Sequence, residues 1–388
     1  MAKFGEICRM IADGDWIESK DQSDEGIRLI QTGNIGNGQY LDKPEKAKYI
    51  TLETFNRLQC KSVLPGDILI SRLPDPVGRA CEVPQNIGQA ITAVDCTIVR
   101  LNSSICNDRY FLNYTQSQRY FHELQTYLAG TTRTRISRKN LEKIEVPLPS
   151  LDEQRHIAAV LDKVTDLIAQ RRAQLDKLDL LVKSRFVEMF GAPIRNERNW
   201  PMVEIGDIAE IRIGPFGSLL HKEDYIKGGH ALVNPSHIID SQICVDENLT
   251  VSDEKYAELE PYHLKINDIV LGRRGEMGRC AVVHEEGLLC GTGSLIIRPK
   301  KEMKPYFLQS IISNPAYKKI IEDKSVGVTM MNLNVPIVSK LTVPKLPLPL
   351  QEQFIGILEK VNELKQPLTN SLQEQEILKN SLMQKYFE

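Results

Sequence analysis

The stretch GTTRTRISRKNLEKIEVPLPSLDEQ at 130–154 returns 197 positions later, without a gap, as GVTMMNLNVPIVSKLTVPKLPLPLQ at 327–351. Seven of the paired positions are identical, among them Gly130/Gly327, Thr132/Thr329, Pro147/Pro344 and Gln154/Gln351. Ile136/Leu333, Leu141/Val338 and Ile144/Leu341 are apolar in both copies. In a chain of 388 residues a shift of 197 means close to one unit written twice. The echo extends upstream with small drifts. FGEI at 4–7 pairs with IGDI at 205–208, PGDILISR at 65–72 with INDIVLGR at 266–273, and Gly78-Arg79 with Gly278-Arg279. CTIVRL at 96–101 pairs with SLIIRP at 294–299, and YFL at 110–112 with YFL at 306–308. Drifts of one or two residues are what surface loops tolerate, and each unit is long enough to bury its own core.

Each unit opens with a mixed segment. Ile68-Leu69-Ile70 and Ile269-Val270-Leu271 follow Pro-Gly-Asp and Asn-Asp turn signals and read as short buried strands; 97–100 and 295–298 read likewise. Residues 110–128 have a helical apolar period with Phe121, Leu124 and Leu128 on one side. A loop and a strand end at Val146-Pro147 or Val343-Pro344 follow. The segment is α+β.

Each unit closes with a helix. In the first, Ile157, Leu161, Val164, Ile168, Leu175, Leu178, Val182 and Met189 step by four and three, with Arg171 and Arg185 breaking the series. That is a coiled-coil seam. The second copy offers Phe354, Leu358, Val361, Leu364, Leu368, Leu372, Leu378 and Leu382. Lys365, Gln375 and Lys379 fall where a strict heptad asks for apolar groups. An interior proline costs a helix about 3 kcal/mol, so Pro367 predicts a kink or break near Gln366. Two long apolar stripes are each other's best partners. The expected architecture is two similar globular domains joined by a long antiparallel helical pair with an internal pseudo-twofold repeat. The segments run 1–149, 150–190, 191–346 and 347–388. Forty helical residues at about 1.5 Å each make a bar of roughly 60 Å. Two related heads on a stiff bar suit a target that repeats its surface at fixed intervals, as the grooves of duplex DNA do about every 34–36 Å.

The doubled order of head and helix resembles the specificity (S) subunit of type I restriction–modification systems. The residues carrying the likeness are the GDIL-like strands at 66–69 and 267–270, the G-x-T loops at 130–132 and 327–329, and the lead-ins PLPSLDEQ and PLPLQEQ. The resemblance implies two target recognition domains, each reading one half of a bipartite DNA site, with the helices fixing the unread gap. It implies that two methyltransferase subunits dock along the helical pair to form an adenine-N6 methylase, and that restriction/translocase subunits add ATP-dependent cleavage. S-adenosylmethionine, ATP and Mg are then expected on the partner subunits, with no cofactor on this chain.

What differs between the copies is where sequence preference should lie. Residues 131–140 carry Arg133, Arg135, Arg138 and Lys139 with no acid; residues 328–337 carry no charge and offer Asn332 and Asn334. Arginine suits the N7/O6 edge of guanine and asparagine the N6/N7 edge of adenine, while basic side chains also neutralise phosphates. Arg72, Arg79, Arg273, Arg274 and Arg279 sit beside turns at strand ends, with Asp75 and Glu276 among them, so ion pairs compete with phosphate contacts. GPFGS at 214–218, ending in Ser218, reads as a tight loop at the DNA. A net charge of −2 excludes a global attractive field, so any nucleic-acid site is a local patch.

A reaction centre is not legible. NPAY at 314–317 resembles the Asn-Pro-Pro-Tyr loop of adenine methyltransferases but has one proline too few and sits where a helix should start. GNIGNG at 33–38 and CGTGS at 290–294 are not followed by helices, and HEEGL at 284–288 lacks a second histidine. The eight cysteines have no C-x-x-C spacing and are expected to be free thiols of a reducing cytoplasm. No run approaches the roughly 20 apolar residues of a membrane span. The rival readings are a self-sufficient DNA methyltransferase or nuclease, and a coiled-coil scaffold with no DNA role.

Overall fold

The computed structural model describes residues 1–130, 134–191, 196–215, 217–325 and 332–388. They form two compact units, one of Met1–Ala173 with Thr369–Glu388, the other of Gln174–Leu368.

In the first unit strands β1 (Cys8–Asp13), β2 (Ile68–Ser71), β3 (Ala80–Glu82) and β4 (Cys96–Leu101) form an antiparallel sheet in the order β1-β4-β2-β3. In the second, β5 (Ala209–Ile213), β6 (Ile269–Gly272), β7 (Cys280–Val282) and β8 (Ser294–Pro299) repeat it as β5-β8-β6-β7. A smaller sheet accompanies each, with one parallel pair: Ile27–Ile30 beside Ala90–Thr92, and His230–Val233 beside Leu289–Cys290. The strands β2, β4, β6 and β8 are apolar almost throughout because both faces are covered.

Helices α1 (Asp108–Tyr114) and α2 (Gln118–Gln125) divide the single helical stretch expected at 110–128. The Ser117 hydroxyl accepts from the Tyr120 amide and so caps a new helix there. Helix α3 (Arg138–Leu141) and the long α4 (Leu151–Phe190) complete the first series. The second comprises α5 (Pro305–Ile312), α6 (Pro315–Lys324), α7 (Val335–Ser339) and α8 (Leu348–Phe387). Asn314 caps α6 through its side chain, and Pro315 stands in the first turn.

Positions identical or matched between the copies are joints. Gln154 is buried; its Oε1 accepts from the Asn107 amide at 2.9 Å, and its Nε2 donates to the Ile105 and Pro149 carbonyls. Gln351 does the same with Lys304, Glu302 and Leu346. Asp67 holds Arg100, and Asp268 holds Arg298, each Nε to Oδ1 at 2.7 Å. Gly78 and Gly278 turn at φ 88° and 74°. A Cβ there would lie 2.2 Å from Leu124 Cδ1 or 2.9 Å from the Ile312 carbonyl oxygen, so neither position accepts a side chain.

Within each unit the two long helices run antiparallel. In the first, Ile157, Ala158 and Leu161 share one core with Met383 and Phe387, and Arg172 pairs with Glu376 at 2.6 Å. Phe387 inserts between Tyr110 and Tyr114, ring centroids 5.4 and 5.7 Å away. In the second unit Phe186, Phe190, Phe307 and Phe354 form an aromatic cluster, and Asp179 pairs with Lys365.

The seam differs from expectation in two respects. Leu364 is 57% and Leu378 48% exposed, whereas Lys365, Gln375 and Lys379 are half-buried; the strict heptad register holds and the leucines face out. Burial first, and then Arg172, pushes the Lys379 pKa down. Helix α8 also continues through Pro367 without the expected break. Pro367 is exposed, so water can reach the carbonyl that its ring deprives of a partner.

Candidate nucleic-acid interface

The residues singled out from the sequence converge on one end of each main sheet. In the first unit Asp13 pairs with Thr97 and Ser71 with Cys96, so the loops after β1 and β2 and before β4 leave from the same edge. The segment leading into α3 docks there as well, the Ile136 amide donating to the Arg72 carbonyl at 3.2 Å. The second unit repeats this edge. Ile213 pairs with Leu295, Gly272 with Ser294, and the Leu333 amide donates to the Arg273 carbonyl at 3.0 Å.

At the first edge Arg135 closes a small hairpin through its backbone, its N–H and C=O both bonded to Ala129 at 2.9 Å. Its side chain is exposed, as is that of Lys139. Arg72 and Arg138 share the carboxylate of Asp13 at 3.6 and 3.5 Å, and Arg138 also reaches Glu142 at 3.2 Å. Arg72 donates in addition to the Val94 carbonyl, while its Nε is buried with no hydrogen-bond partner. Of the two, Arg138 is the more exposed and Arg72 the more buried. Arg133 lies outside the described residues.

Arg79 does not belong to this group. It is 8% exposed, and its guanidinium donates to the carbonyls of Thr32, Ile35, Leu73 and Pro76. Four of its five N–H donors rivet the β2–β3 turn onto the turn at Thr32–Asn34. Its counterpart Arg279 does similar work, donating to the Pro235 carbonyl at 3.2 Å and to Glu276 at 2.7 Å. Arg273 is 9% exposed and donates through Nε to the Leu333 carbonyl, so it clamps the incoming loop from inside. Burial, and then the neighbouring Arg274, push the Arg273 pKa down. For all three the turn glycines and strand ends that mark a DNA-facing loop also mark a place where main-chain carbonyls need donors.

Arg274 is exposed, and so is Ser218, which follows a glycine with open space beside it. Asn334 caps α7, accepting from the Ile337 amide at 2.9 Å, just as Ser137 caps α3 by accepting from Asn140. The Asn334 Nδ2 remains for other contacts. Asn332 is half-buried, its Oδ1 buried without a partner. Among the described residues singled out, the first edge presents cations, and the second one cation with neutral polar groups.

One residue at the first edge escapes motif reading. Trp16, in the loop after β1, is 71% exposed. Aligning Gly14 with Gly214 would have found it, because an aromatic follows each glycine by two positions, Trp16 and Phe216. Among the described residues no cluster of His, Cys, Asp and Glu could hold a metal ion, and no helix is long and apolar enough to cross a membrane.

The family model "Type I restriction modification DNA specificity domain" matches residues 1–178 and again 197–378. Curated relatives include the MjaVIII specificity subunit of Methanocaldococcus jannaschii, 22% identical over 287 residues, 69% of this chain and 66% of the relative. Another is the EcoBI specificity subunit of Escherichia coli, 22% identical over 297 residues, 68% of this chain and 62% of the relative. The chain thus spans less than two-thirds of the length of these relatives. Among solved structures, the S subunit of a type I restriction-modification system from M. genitalium aligns with a TM-score of 0.60 at 13% identity, over 100% of this chain and 95% of that one. A chain from a structure concerned with complex assembly and conformational transition of the type I R-M system aligns at 0.54 and 15% identity, over 100% and 97%. At these identities the likeness speaks for the fold.

Proposed function

Because the chain belongs to the type I restriction modification DNA specificity family, we propose that it is the DNA sequence-specificity subunit of such a system, non-catalytic in itself. Each unit reads one half of a bipartite, asymmetric duplex site through the edge described above. Methyltransferase subunits, two in the proposed assembly, dock along the paired helices, and restriction/translocase subunits join them. S-adenosylmethionine, ATP and Mg act on those partners.

One observation carries this reading. The same loops leave the same sheet edge in both units and are anchored by equivalent joints, yet their free side chains differ: Arg135 and Lys139 on one, Arg274, Ser218 and Asn334 on the other. A scaffold without a DNA role has no need for matched edges with unmatched chemistry. A DNA reader does, because phosphate contacts position the protein while base contacts specify. Methylation of the host genome, compared with and without this gene, tests it. Loss of methylated adenines at one two-part motif is expected. An unchanged methylation pattern, together with a footprint of the assembled complex that shows no protected site, rejects it.

A further inference from the structure

We propose that Trp16 is an aromatic DNA contact of the first unit, packing its indole against the groove edge of the half-site which that unit reads. The proposal rests on the reading of this edge as a DNA interface. Large aromatic side chains are strongly buried on average, yet Trp16 is 71% exposed. It is not carried by a loose loop. The Gly14 amide donates to the Cys96 carbonyl at 2.9 Å, and the Asp15 amide to the Thr92 carbonyl at 2.8 Å. The Asp15 carboxylate accepts from the Lys61 amide at 2.7 Å. A Cβ on Gly14 would lie 2.3 Å from the Ala93 carbonyl oxygen, so glycine is required for the chain to lie this close. An indole presented on a backbone so anchored loses little conformational freedom on binding.

The neighbourhood fits a nucleic acid. Asp13, three residues away and within about 10 Å along the chain, gathers Arg72 and Arg138 at this edge. Lys61 reaches the Asp13 carbonyl at 3.2 Å. The Glu18 carboxylate two residues on is held below the usual range first by Lys20, with which it pairs at 2.8 Å. At 71% exposure most of the indole is open to solvent. An exposed aromatic on the same loop as a carboxylate that gathers two arginines suits a groove, where an apolar side chain meets base edges while basic groups meet phosphates. In the second unit the Gly214 amide donates to the Ser294 carbonyl at 3.0 Å, and a Cβ there would lie 2.1 Å from the Gly291 oxygen. The anchor is thus repeated, and the sequence places Phe216 two positions beyond it.

The test uses the full chain assembled with its methyltransferase subunits and duplexes carrying the two-part motif found by genome methylation. A buried aromatic anchor at an interface is worth about 1–3 kcal/mol, so Trp16→Ala should weaken binding about 5- to 150-fold, while Trp16→Phe should stay within about threefold of the parent. No phosphate contact is lost, so the slope of log affinity against log salt should not change. Replacing the first half-site should abolish the difference between parent and Trp16→Ala; replacing the second should preserve it. Affinity of Trp16→Ala within twofold of the parent overturns the proposal. Failure of that variant to assemble with its partners, seen by gel filtration, also overturns it and makes Trp16 a protein contact. A parent complex that protects no DNA site removes the DNA-reading premise itself, a different failure from that of Trp16 alone.

Discussion

At the scale of single residues, the repeated positions act through buried hydrogen bonds. Gln351 satisfies one amide and two carbonyls at the foot of α8, and a leucine of similar size would remove all three partners, the Leu346 carbonyl being left buried and the other two half-buried. Gln351→Leu should cost about 2–4 kcal/mol, read as a lower urea midpoint at unchanged slope. Exposed Gln353→Leu, two residues away, should leave the midpoint where it is. A second residue-scale device is the clamp at the β6–β7 turn, where Glu276 is shared by Lys318 and Arg279. Lys318, and then Arg279, lower the Glu276 pKa from 4.5 to about 2. A carboxylate whose folded pKa is depressed stabilises the fold above its unfolded value and loses that contribution as pH falls. The clamp should therefore weaken between about pH 4.5 and 2, and Glu276→Gln should flatten the acid limb of a thermal-stability profile across that window. An equally steep acid limb in the variant would assign the pH dependence to other groups.

At the scale of elements, α8 is held at both ends, and α4 at its C-terminal end, by aromatic side chains driven into a unit's core. Phe387 is 2% exposed between Tyr110 and Tyr114 of α1, and its removal leaves a cavity between rings that are themselves buried in the core. Phe387→Ala should destabilise the first unit by about 3–5 kcal/mol, whereas Leu378→Ala, at an outward position, should change stability by less than about 0.5 kcal/mol. Comparable losses for both would mean that the helix packs in the register read from its leucines. That register was the harder part to read. Strands β2 and β6 stood out because apolar triplets follow turn residues, and the repeat told which positions were joints. The seam misled because leucine content was followed at Leu364 and Leu378, while the geometry of seven residues placed Lys365, Gln375 and Lys379 inward. Long side chains can bury their stems there and keep the polar end near water. Arginine at a strand end was ambiguous for a related reason. Arg79 and Arg274 look alike in sequence, and only the placement of distant carbonyls makes one a rivet and leaves the other free.

At the scale of the whole molecule, a protein with two reading edges should fail one edge at a time. Arg135 and Lys139 are exposed cations of the first unit; Arg274 is the corresponding cation of the second. If each unit reads its own half-site, Arg135→Ala with Lys139→Ala should weaken protection of one DNA patch and leave the other footprint nearly intact at saturating complex. Each lost phosphate contact removes about 0.9 from the salt slope, so the double variant should become less salt-sensitive by up to about 2 and Arg274→Ala by up to about 1. The two sets should add, because they belong to separate compact units and independent sites combine additively. Loss of both patches from either variant alone would mean that one continuous surface binds the DNA. An unchanged salt slope in both would move the interface away from these loops, whatever the sequence preference of the complex. The distinction matters physically: two weak, independent edges discriminate against a DNA carrying only one correct half-site by the full worth of the missing contacts, which no single patch of the same total affinity would do.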